Sequence, residues 1–140
     1  MIDYYCLSDV GLHRLTNQDS YMSATNDSGD FLTLVCDGIG GGKAGDVASS
    51  KTAEYIKERF TNTCFTSLCD AKNKMSNLIE DCNKYIYSLS ITNENYLGMG
   101  TTLTGVLITS FGCLTLNVGD SRTYGVLDKK LFRLTNDHTY

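Results

Sequence analysis

Residues 31–42 read Phe-Leu-Thr-Leu-Val-Cys-Asp-Gly-Ile-Gly-Gly-Gly. The apolar run of residues 31–36 predicts a strand buried on both faces, which would end at Asp37 with glycines directly after it. A strand holds a carboxylate in a fixed place, and glycines let backbone carbonyl and N–H groups approach a ligand closely. Because Mg²⁺ and Mn²⁺ prefer such oxygen ligands, we interpret Asp37 as a metal ligand.

Further polar motifs lie on both sides of this stretch. Asp19 and Asp120 each fit an ordinary turn on their own, but with Asp37 they place three carboxylates at predicted strand ends, where neighbouring strands can bring them together. Arg14 adds a guanidinium suited to bidentate phosphate binding. Asp137-His138 is either a ligand pair or an ordinary turn, and the turn is the simpler interpretation. The motifs are Ser8-Asp9-Val10-Gly11, Asn17-Gln18-Asp19-Ser20, Gly100-Thr101-Thr102 and Gly119-Asp120-Ser121-Arg122.

Length and composition indicate one ordinary globular domain over residues 1–140. The net charge of −4 argues against a nucleic-acid partner, which normally needs clustered Lys and Arg. No apolar run approaches the roughly 20 residues of a membrane span, and the first residues lack the pattern of a signal peptide. We therefore expect no membrane association and a cytoplasmic location.

The chain has six cysteines and two histidines. None of the cysteines forms a Cys-x-x-Cys pair, and His13 and His138 are not spaced as zinc partners. Several cysteines fall inside apolar strand or helix patterns. Buried reduced thiols are therefore favoured over disulfides.

The hydrophobic period changes twice along the chain. Strand-like patterns come first, two helices of residues 45–60 and 66–89 follow with residues 40–42 as a flexible start, and strand-like patterns return. The helices are predicted from Ala48, Thr52, Ile56 and Phe60 at i+4 spacing and from Ala71, Met75, Leu78 and Cys82. The predicted strands are residues 3–9, 20–24, 31–36, 101–109, 113–117, 123–127 and 130–134, the last four as a meander of hairpins.

This order predicts the α+β class and not a parallel βαβ sheet. Gly40-Gly41-Gly42-Lys43 is not a Walker A loop, because Asp37 and Ala44 stand where that motif needs Gly and Ser or Thr. The glycine spacing also fails the dinucleotide-binding fingerprint.

Four motifs, in the same order, resemble those of the metal-dependent PP2C-type (PPM) protein serine/threonine phosphatases, from about residue 7 to residue 138. Ile39 follows Asp37-Gly38 as in the bacterial branch, where many eukaryotic members have a His proposed as a general acid. The motifs are Ser8-Asp9-x-Gly11-x-x-Arg14-x-x-Asn17-Gln18-Asp19, Val35-x-Asp37-Gly38-x-Gly40-Gly41, Gly98-Met99-Gly100-Thr101-Thr102-Leu103 and Val118-Gly119-Asp120-Ser121-Arg122.

The resemblance implies a fold, a reaction and a role for each matching residue. The fold is an antiparallel β-sandwich flanked by paired antiparallel helices, and the reaction is hydrolysis of phosphorylated Ser/Thr proteins by a metal-activated water. Asp37 matches the Asp that bridges two Mg²⁺ or Mn²⁺ ions, and the Gly38 carbonyl matches a ligand of one of them. Asp19 matches an acidic residue acting through water, and Asp120 an Asp associated with a third ion. Arg14 matches the Arg that clamps the phosphate.

The resemblance covers only the N-terminal part of the family domain, because the later Asp-Gly and Asp-Asn motifs are not in this sequence. The expected fold is therefore incomplete at its C-terminal side. Two alternatives to an active phosphatase remain open, a non-catalytic binding or regulatory module and half of a split enzyme. Exposed sheet edges further predict self-association or binding of a complementing C-terminal fragment.

Overall fold

The computed structural model describes residues 1–39 and 44–139. The elements in this part of the chain are β1 (Asp19–Thr25), β2 (Phe31–Ile39), α1 (Gly45–Thr61), α2 (Leu68–Thr92), a 3-10 turn (Glu94–Tyr96), β3 (Gly100–Thr101), β4 (Leu103–Thr109), β5 (Gly112–Val118), β6 (Tyr124–Leu127) and β7 (Lys130–Arg133). The predicted flexible segment at residues 40–42 lies outside the described residues.

The main sheet is antiparallel, with the strand order β1-β2-β4-β5 and the short β3 paired to the end of β2. Asp19 lies opposite Asp37, and Val35 lies opposite Thr104. The strand predicted over residues 101–109 is divided at Thr102, although β3 and β4 keep one register against β2. The division arises because the Asp37 N–H donates to the Thr102 hydroxyl (3.0 Å) and not to the backbone carbonyl of the ladder.

The two helices cover one face of this sheet, as predicted. α1 packs on β1 and β2, and α2 packs on α1 and reaches β5. The residues predicted at i+4 spacing in α1 are all buried, which confirms the amphipathic pattern as the origin of the packing. The core between the helices and the sheet includes Leu32, Leu34, Cys36, Ile56, Phe60, Met75 and Leu107.

A side-chain cap fixes the start of α2. Ser67 is the N-cap, and its hydroxyl accepts a hydrogen bond from the Asp70 N–H (3.0 Å). The Asp70 carboxylate in turn accepts from the Thr66 N–H (3.0 Å) and from Lys74 (2.9 Å). These bonds lower the pKa of Asp70, the Thr66 N–H being the largest cause. α2 begins at Leu68, two residues after the predicted start at residue 66. It ends at Thr92, three residues after the predicted end at residue 89.

The second face of the main sheet points away from the helices and is only partly covered. Tyr21 and Val35, which pair across β1 and β2, are 52% and 47% exposed. Phe31 is buried, with the Tyr4 ring 5.4 Å from its own ring. The prediction that residues 31–36 are buried on both faces is therefore wrong, because the chain supplies only a partial second layer there.

The second sheet is the hairpin β6–β7. The strand predicted over residues 3–9 does not form, since that segment pairs with no strand in the described part of the chain. The predicted meander is also wrong at one step. β5 and β6 belong to different sheets, so residues 119–123 carry the chain from one sheet to the other.

The α+β class predicted from the sequence is confirmed, with a five-stranded sheet, two helices and a second sheet of two strands. All six cysteines are free thiols; Cys36 and Cys82 are buried, whereas Cys64, Cys69 and Cys113 are exposed. The expectation of buried thiols therefore holds for only part of the set. Neither helix of the described segments is both long and apolar enough to cross a bilayer.

Candidate metal and phosphate site

Two carboxylates meet at one end of the main sheet. Asp19 is the first residue of β1 and lies directly opposite Asp37 of β2. Opposed residues of an antiparallel pair project from the same face with Cβ atoms about 4.5–5.5 Å apart. That face is the one turned away from the helices, so the predicted proximity of Asp19 and Asp37 follows from the strand register.

The sequence predicts that the strand ends at Asp37, and this prediction is wrong. β2 continues through Gly38 and Ile39 to pair with β3. The peptide groups of Asp37 are bonded on both sides. Its carbonyl oxygen accepts from the Thr102 N–H (2.9 Å) and from the Thr101 hydroxyl (3.0 Å). Its N–H donates to the Thr102 hydroxyl (3.0 Å). The backbone that carries the carboxylate is therefore held firmly in place.

The pKa of Asp37 is raised above its ordinary value. Loss of hydration is the largest cause, followed by the negative charge of Asp19 and a hydrogen bond with the Asp19 carboxyl. Asp120 raises this pKa slightly, and Arg14 opposes the shift. The three residues predicted to accompany Asp37 thus all act on it electrostatically.

Gly38 lies where three backbone segments converge. A Cβ atom there would overlap the Gly45 carbonyl and lie 2.7 Å from the Gln18 carbonyl oxygen. The Gly38 N–H donates to that Gln18 oxygen (3.1 Å), as does the Ser49 hydroxyl (2.7 Å). The glycine is therefore required so that the start of α1 and the segment before β1 can both contact β2.

The segment before β1 is shaped by short polar side chains. Asp9 accepts from the Gly11 N–H (2.7 Å), and Asn17 both donates to the Ser8 hydroxyl (2.6 Å) and accepts from the Asp19 N–H (3.0 Å). Ser8 and Asn17 belong to the first sequence motif, and the sequence alone predicts no role for them. Asn favours such local bonds to nearby backbone, which is the signal that identifies Asn17 as the residue ordering the chain before Asp19.

Arg14 lies in this segment and lines an open cleft of about 180 Å³ with both carboxylates. The remaining lining residues belong to the same segment and are polar except for Val10. The Arg14 guanidinium can bind an anion, and the two carboxylates beside it can bind a cation next to that anion.

Asp120 is exposed and belongs to the crossing between the two sheets. The preceding Gly119 has a φ of +97° and packs on Thr102, because a Cβ atom there would lie 2.8 Å from the Thr102 Cγ2. The following Ser121 hydroxyl is 2.7 Å from the Thr102 hydroxyl. Asp120 is thus fixed between two residues that both contact Thr102, close enough to influence Asp37.

Two arginines form ion pairs with the Asp137 carboxylate. Arg122 binds it through both Nε (3.0 Å) and Nη2 (2.6 Å), and Arg133 approaches within 3.5 Å. The Arg122 bonds hold the pKa of the Asp137 carboxyl below its ordinary value. The ion pair closes the base of the β6–β7 hairpin, which favours a structural role over the alternative of a ligand pair.

The described residues fit a metal ion only in part. Over residues 1–39 and 44–139, no three His, Cys, Asp or Glu side chains converge closely enough to hold one. Asp19 and Asp37 do provide two adjacent carboxylates. The charge of Arg14 lowers the pKa of Asp37 but does not cancel the causes that raise it, so the pKa remains above its ordinary value. Such a hard oxygen pair favours a divalent cation and leaves further ligands to be supplied.

Comparison with known proteins gives the family. A family model described as protein phosphatase 2C matches residues 13–140. The chain belongs to the protein phosphatase 2C family. The resemblance that the four motifs suggested is thereby confirmed.

Similar bacterial proteins agree in sequence and in structure. The protein phosphatase PhpP of Streptococcus pneumoniae is 30% identical over 133 residues, covering 95% of this chain and 54% of that protein. The crystal structure of the serine/threonine phosphatase Stp1 from Staphylococcus aureus superposes with a TM-score of 0.88 at 36% identity, over 94% of this chain and 52% of that one.

A third solved structure is the catalytic domain of the serine threonine protein phosphatase PstP in complex with two manganese ions. It matches with a TM-score of 0.81 at 30% identity, over 96% of this chain and 55% of that one. The chain therefore spans about half the length of the relatives it matches, as the prediction of an N-terminal portion requires.

Proposed function

We propose that this chain carries the first half of a PP2C-type serine/threonine phosphatase site that hydrolyses phosphomonoesters on phosphorylated proteins. The observation that carries the proposal is the placement of Asp37 opposite Asp19 with Arg14 beside both. The phosphatase names of the relatives support it further. The same names speak against a non-catalytic module.

In this proposal Asp37, Asp19 and the Gly38 carbonyl hold divalent ions, Mg²⁺ or Mn²⁺, and Asp120 holds a further ion. The two-manganese structure of PstP supports this choice of metal. When bound, such ions would neutralise phosphate charge and make water a better nucleophile. The raised pKa of Asp37 fits the role, because a cation relieves the repulsion between the two carboxylates.

Arg14 binds the phosphate in this proposal. Its guanidinium can donate two parallel hydrogen bonds to phosphate oxygens and stabilise charge that develops on them during hydrolysis. The polar cleft that it shares with Asp19 and Asp37 would orient the phosphorus towards the carboxylate pair. Catalysis in this assignment is positioning and electrostatic stabilisation.

A complete site needs ligands beyond those described, since no three carboxylate-type groups converge in the described segments. We propose that they come from a sequence corresponding to the other half of the relatives, either in the same polypeptide or as a complementing C-terminal fragment. Self-association of the chain is the alternative source. The partly uncovered sheet face that carries Asp37 supports such a partner.

The test measures Mn²⁺ binding by calorimetry and hydrolysis of a phosphothreonine peptide. The chain is assayed alone and mixed with the C-terminal half of Stp1, with and without EDTA. Weak Mn²⁺ binding by the chain and EDTA-sensitive hydrolysis by the mixture are expected. Asp37→Asn should remove both, and Arg14→Ala should reduce hydrolysis while leaving Mn²⁺ binding nearly intact.

Asp27→Asn is the matched control, because Asp27 is an exposed carboxylate in the turn at the far end of the same two strands. It should change neither measurement. Mn²⁺ binding that survives Asp37→Asn would refute the metal assignment. Binding without hydrolysis in every mixture would favour the non-catalytic module.

A further inference from the structure

Thr102 connects two parts of the candidate site that are distant in sequence. Its side chain is buried, with 2% of the residue exposed. Its hydroxyl accepts from the Asp37 N–H (3.0 Å) and lies 2.7 Å from the Ser121 hydroxyl. One side-chain oxygen thus joins the strand of Asp37 to the turn of Asp120.

The Thr102 hydroxyl accepts a hydrogen bond that a backbone carbonyl oxygen would accept in a regular antiparallel pair. Asp37 and Thr102 are opposed in the register shared by β3 and β4, and the Thr102 N–H donates to the Asp37 carbonyl oxygen as in a regular ladder. The Asp37 N–H, however, donates to the Thr102 hydroxyl and not to the Thr102 carbonyl. That carbonyl instead accepts from the Thr101 hydroxyl (3.0 Å). The side chain of residue 102 therefore determines where the Asp37 peptide lies.

The turn that contains Asp120 also contacts Thr102. Gly119 approaches the Thr102 methyl so closely that no side chain fits there, and Ser121 bonds to the Thr102 hydroxyl. Asp120 lies between these two contacts and is itself exposed. Its distance from Asp37 is therefore set through Thr102.

We propose that Thr102 and Ser121 are positioning residues that fix the separation between the Asp37 and Asp120 carboxylates. The proposal rests on the proposed function, in which both carboxylates hold metal ions. Groups that orient metal ligands in this way typically change metal affinity by about 10–100-fold when they are removed.

A second pair of bonded hydroxyls among the described residues serves as a control, and neither of its hydroxyls bonds to Asp37. The hydroxyls of Thr104 and Thr123 lie 2.9 Å apart, Thr104 is buried, and both positions are two residues beyond their counterparts. Replacing Thr104 by Val removes a hydroxyl–hydroxyl bond between the same segments. It therefore separates a general loss of packing from a specific effect on Asp37.

The experiment compares Thr102→Val, Ser121→Ala, Thr102→Ser and Thr104→Val in the full chain. Mn²⁺ affinity is measured by calorimetry, and exchange of the Asp37 amide hydrogen by NMR. Thr102→Val and Ser121→Ala should weaken Mn²⁺ binding by roughly 10-fold or more and speed Asp37 exchange, whereas Thr104→Val should do neither. Thr102→Ser keeps the hydroxyl and should restore both. Asp120→Asn should weaken binding less in the Thr102→Val chain than in the unmodified chain.

The possible failures have different meanings. If Asp37→Asn leaves Mn²⁺ binding unchanged, or the unmodified chain binds none, the proposed metal site is wrong, and the inference fails with it. If Asp37→Asn removes binding but Thr102→Val and Ser121→Ala leave affinity and Asp37 exchange unchanged, only the positioning role is overturned. Equal losses in Thr102→Val and Thr104→Val would also overturn it, and thermal melts show whether each variant is folded.

Discussion

At Asp37, stability and the proposed chemistry make opposite demands. The peptide groups are bonded on both sides, so the residue cannot move away from Asp19 when both carboxylates are ionised. The pKa of Asp37 is raised, first by loss of hydration and then by the negative charge of Asp19. A residue that is held firmly and left electrostatically unfavourable is typical of a binding site, in which the ligand removes the cost.

This conflict predicts how Asp37→Asn changes stability with pH. A raised carboxyl pKa means that the native state binds the proton more tightly than the unfolded chain does. The stability from this group is therefore present at low pH and is lost as pH rises through the native pKa. In EDTA at pH 7, Asp37→Asn should raise the urea midpoint, and the difference should shrink towards pH 4. Saturating Mn²⁺ should reverse the order, since a ligand stabilises the state that binds it. A lower midpoint for Asp37→Asn in EDTA at pH 7 would contradict this account.

Gly38 provides a second prediction for a single residue. A methyl group there would overlap the Gly45 carbonyl and crowd the Gln18 carbonyl, both of which are backbone atoms that cannot rotate away. Gly38→Ala should destabilise the fold by about 1–3 kcal/mol or more, as expected for overpacking. Gly100→Ala, in the neighbouring strand, is the control because no atom lies within 4 Å of its Cβ position. Urea denaturation of the two variants decides the matter, and equal midpoints would count against the close packing described at Gly38.

The elements owe their positions to a few specific contacts beyond their hydrophobic patterns. α1 lacks a side-chain cap, whereas α2 begins with the Ser67 cap and the Asp70 bonds. The Tyr55 ring stacks on Tyr85 with centroids 5.0 Å apart, and the Arg59 guanidinium lies 3.5 Å from the Tyr55 ring centroid. The Tyr55–Tyr85 contact helps to fix how the two helices lie against each other, whereas the Arg59–Tyr55 contact lies within α1.

The cap of α2 is testable by itself. Ser67→Ala removes the acceptor for the Asp70 N–H and should lower stability by about 1 kcal/mol, the usual cost of losing an N-cap. Ser76→Ala changes an exposed serine inside the same helix and should be neutral or slightly stabilising, because Ala has the higher helix propensity. Thermal melts of both variants give the comparison. No difference between them would mean that the Ser67 bond contributes little.

For the whole molecule, the dominant feature is a sheet with one face covered by helices and the other only partly covered. The uncovered face combines the carboxylate pair with exposed apolar side chains at Tyr21 and Val35. Exposed apolar residues also lie on the β6–β7 hairpin, among them Val126, Leu131 and Phe132. Exposed apolar surface beside a candidate site is typical of a place where another segment packs.

We therefore predict concentration-dependent self-association of the chain in sedimentation velocity. Replacing both Tyr21 and Val35 by Thr should reduce it, since Thr keeps a strand-compatible shape while removing apolar area. Ile91→Thr, at an exposed position near the end of α2, should leave it unchanged. A monomer at all concentrations would show that the uncovered face does not drive association.

The sequence determined the elements whose information is local. The spacing of Ala48, Thr52, Ile56 and Phe60 predicted α1 because a helix repeats every 3.6 residues, and strand-like local patterns predicted β1 and β5. The glycines and carboxylates around residue 37 indicated the candidate site, because glycine permits a close backbone approach and carboxylates are ligands that divalent cations prefer.

Only the tertiary structure decided what depends on a partner. Residues 3–9 have a strand-like composition but form no strand, because a strand needs a neighbour to accept its hydrogen bonds. The roles of Thr102 and Ser121 required the register that places residues 37, 102 and 121 together. The crossing of residues 119–123 between sheets, and the capture of Asp137 by Arg122, likewise depend on contacts between segments far apart in sequence. Periodicity carries no information on such contacts, since it describes each element alone.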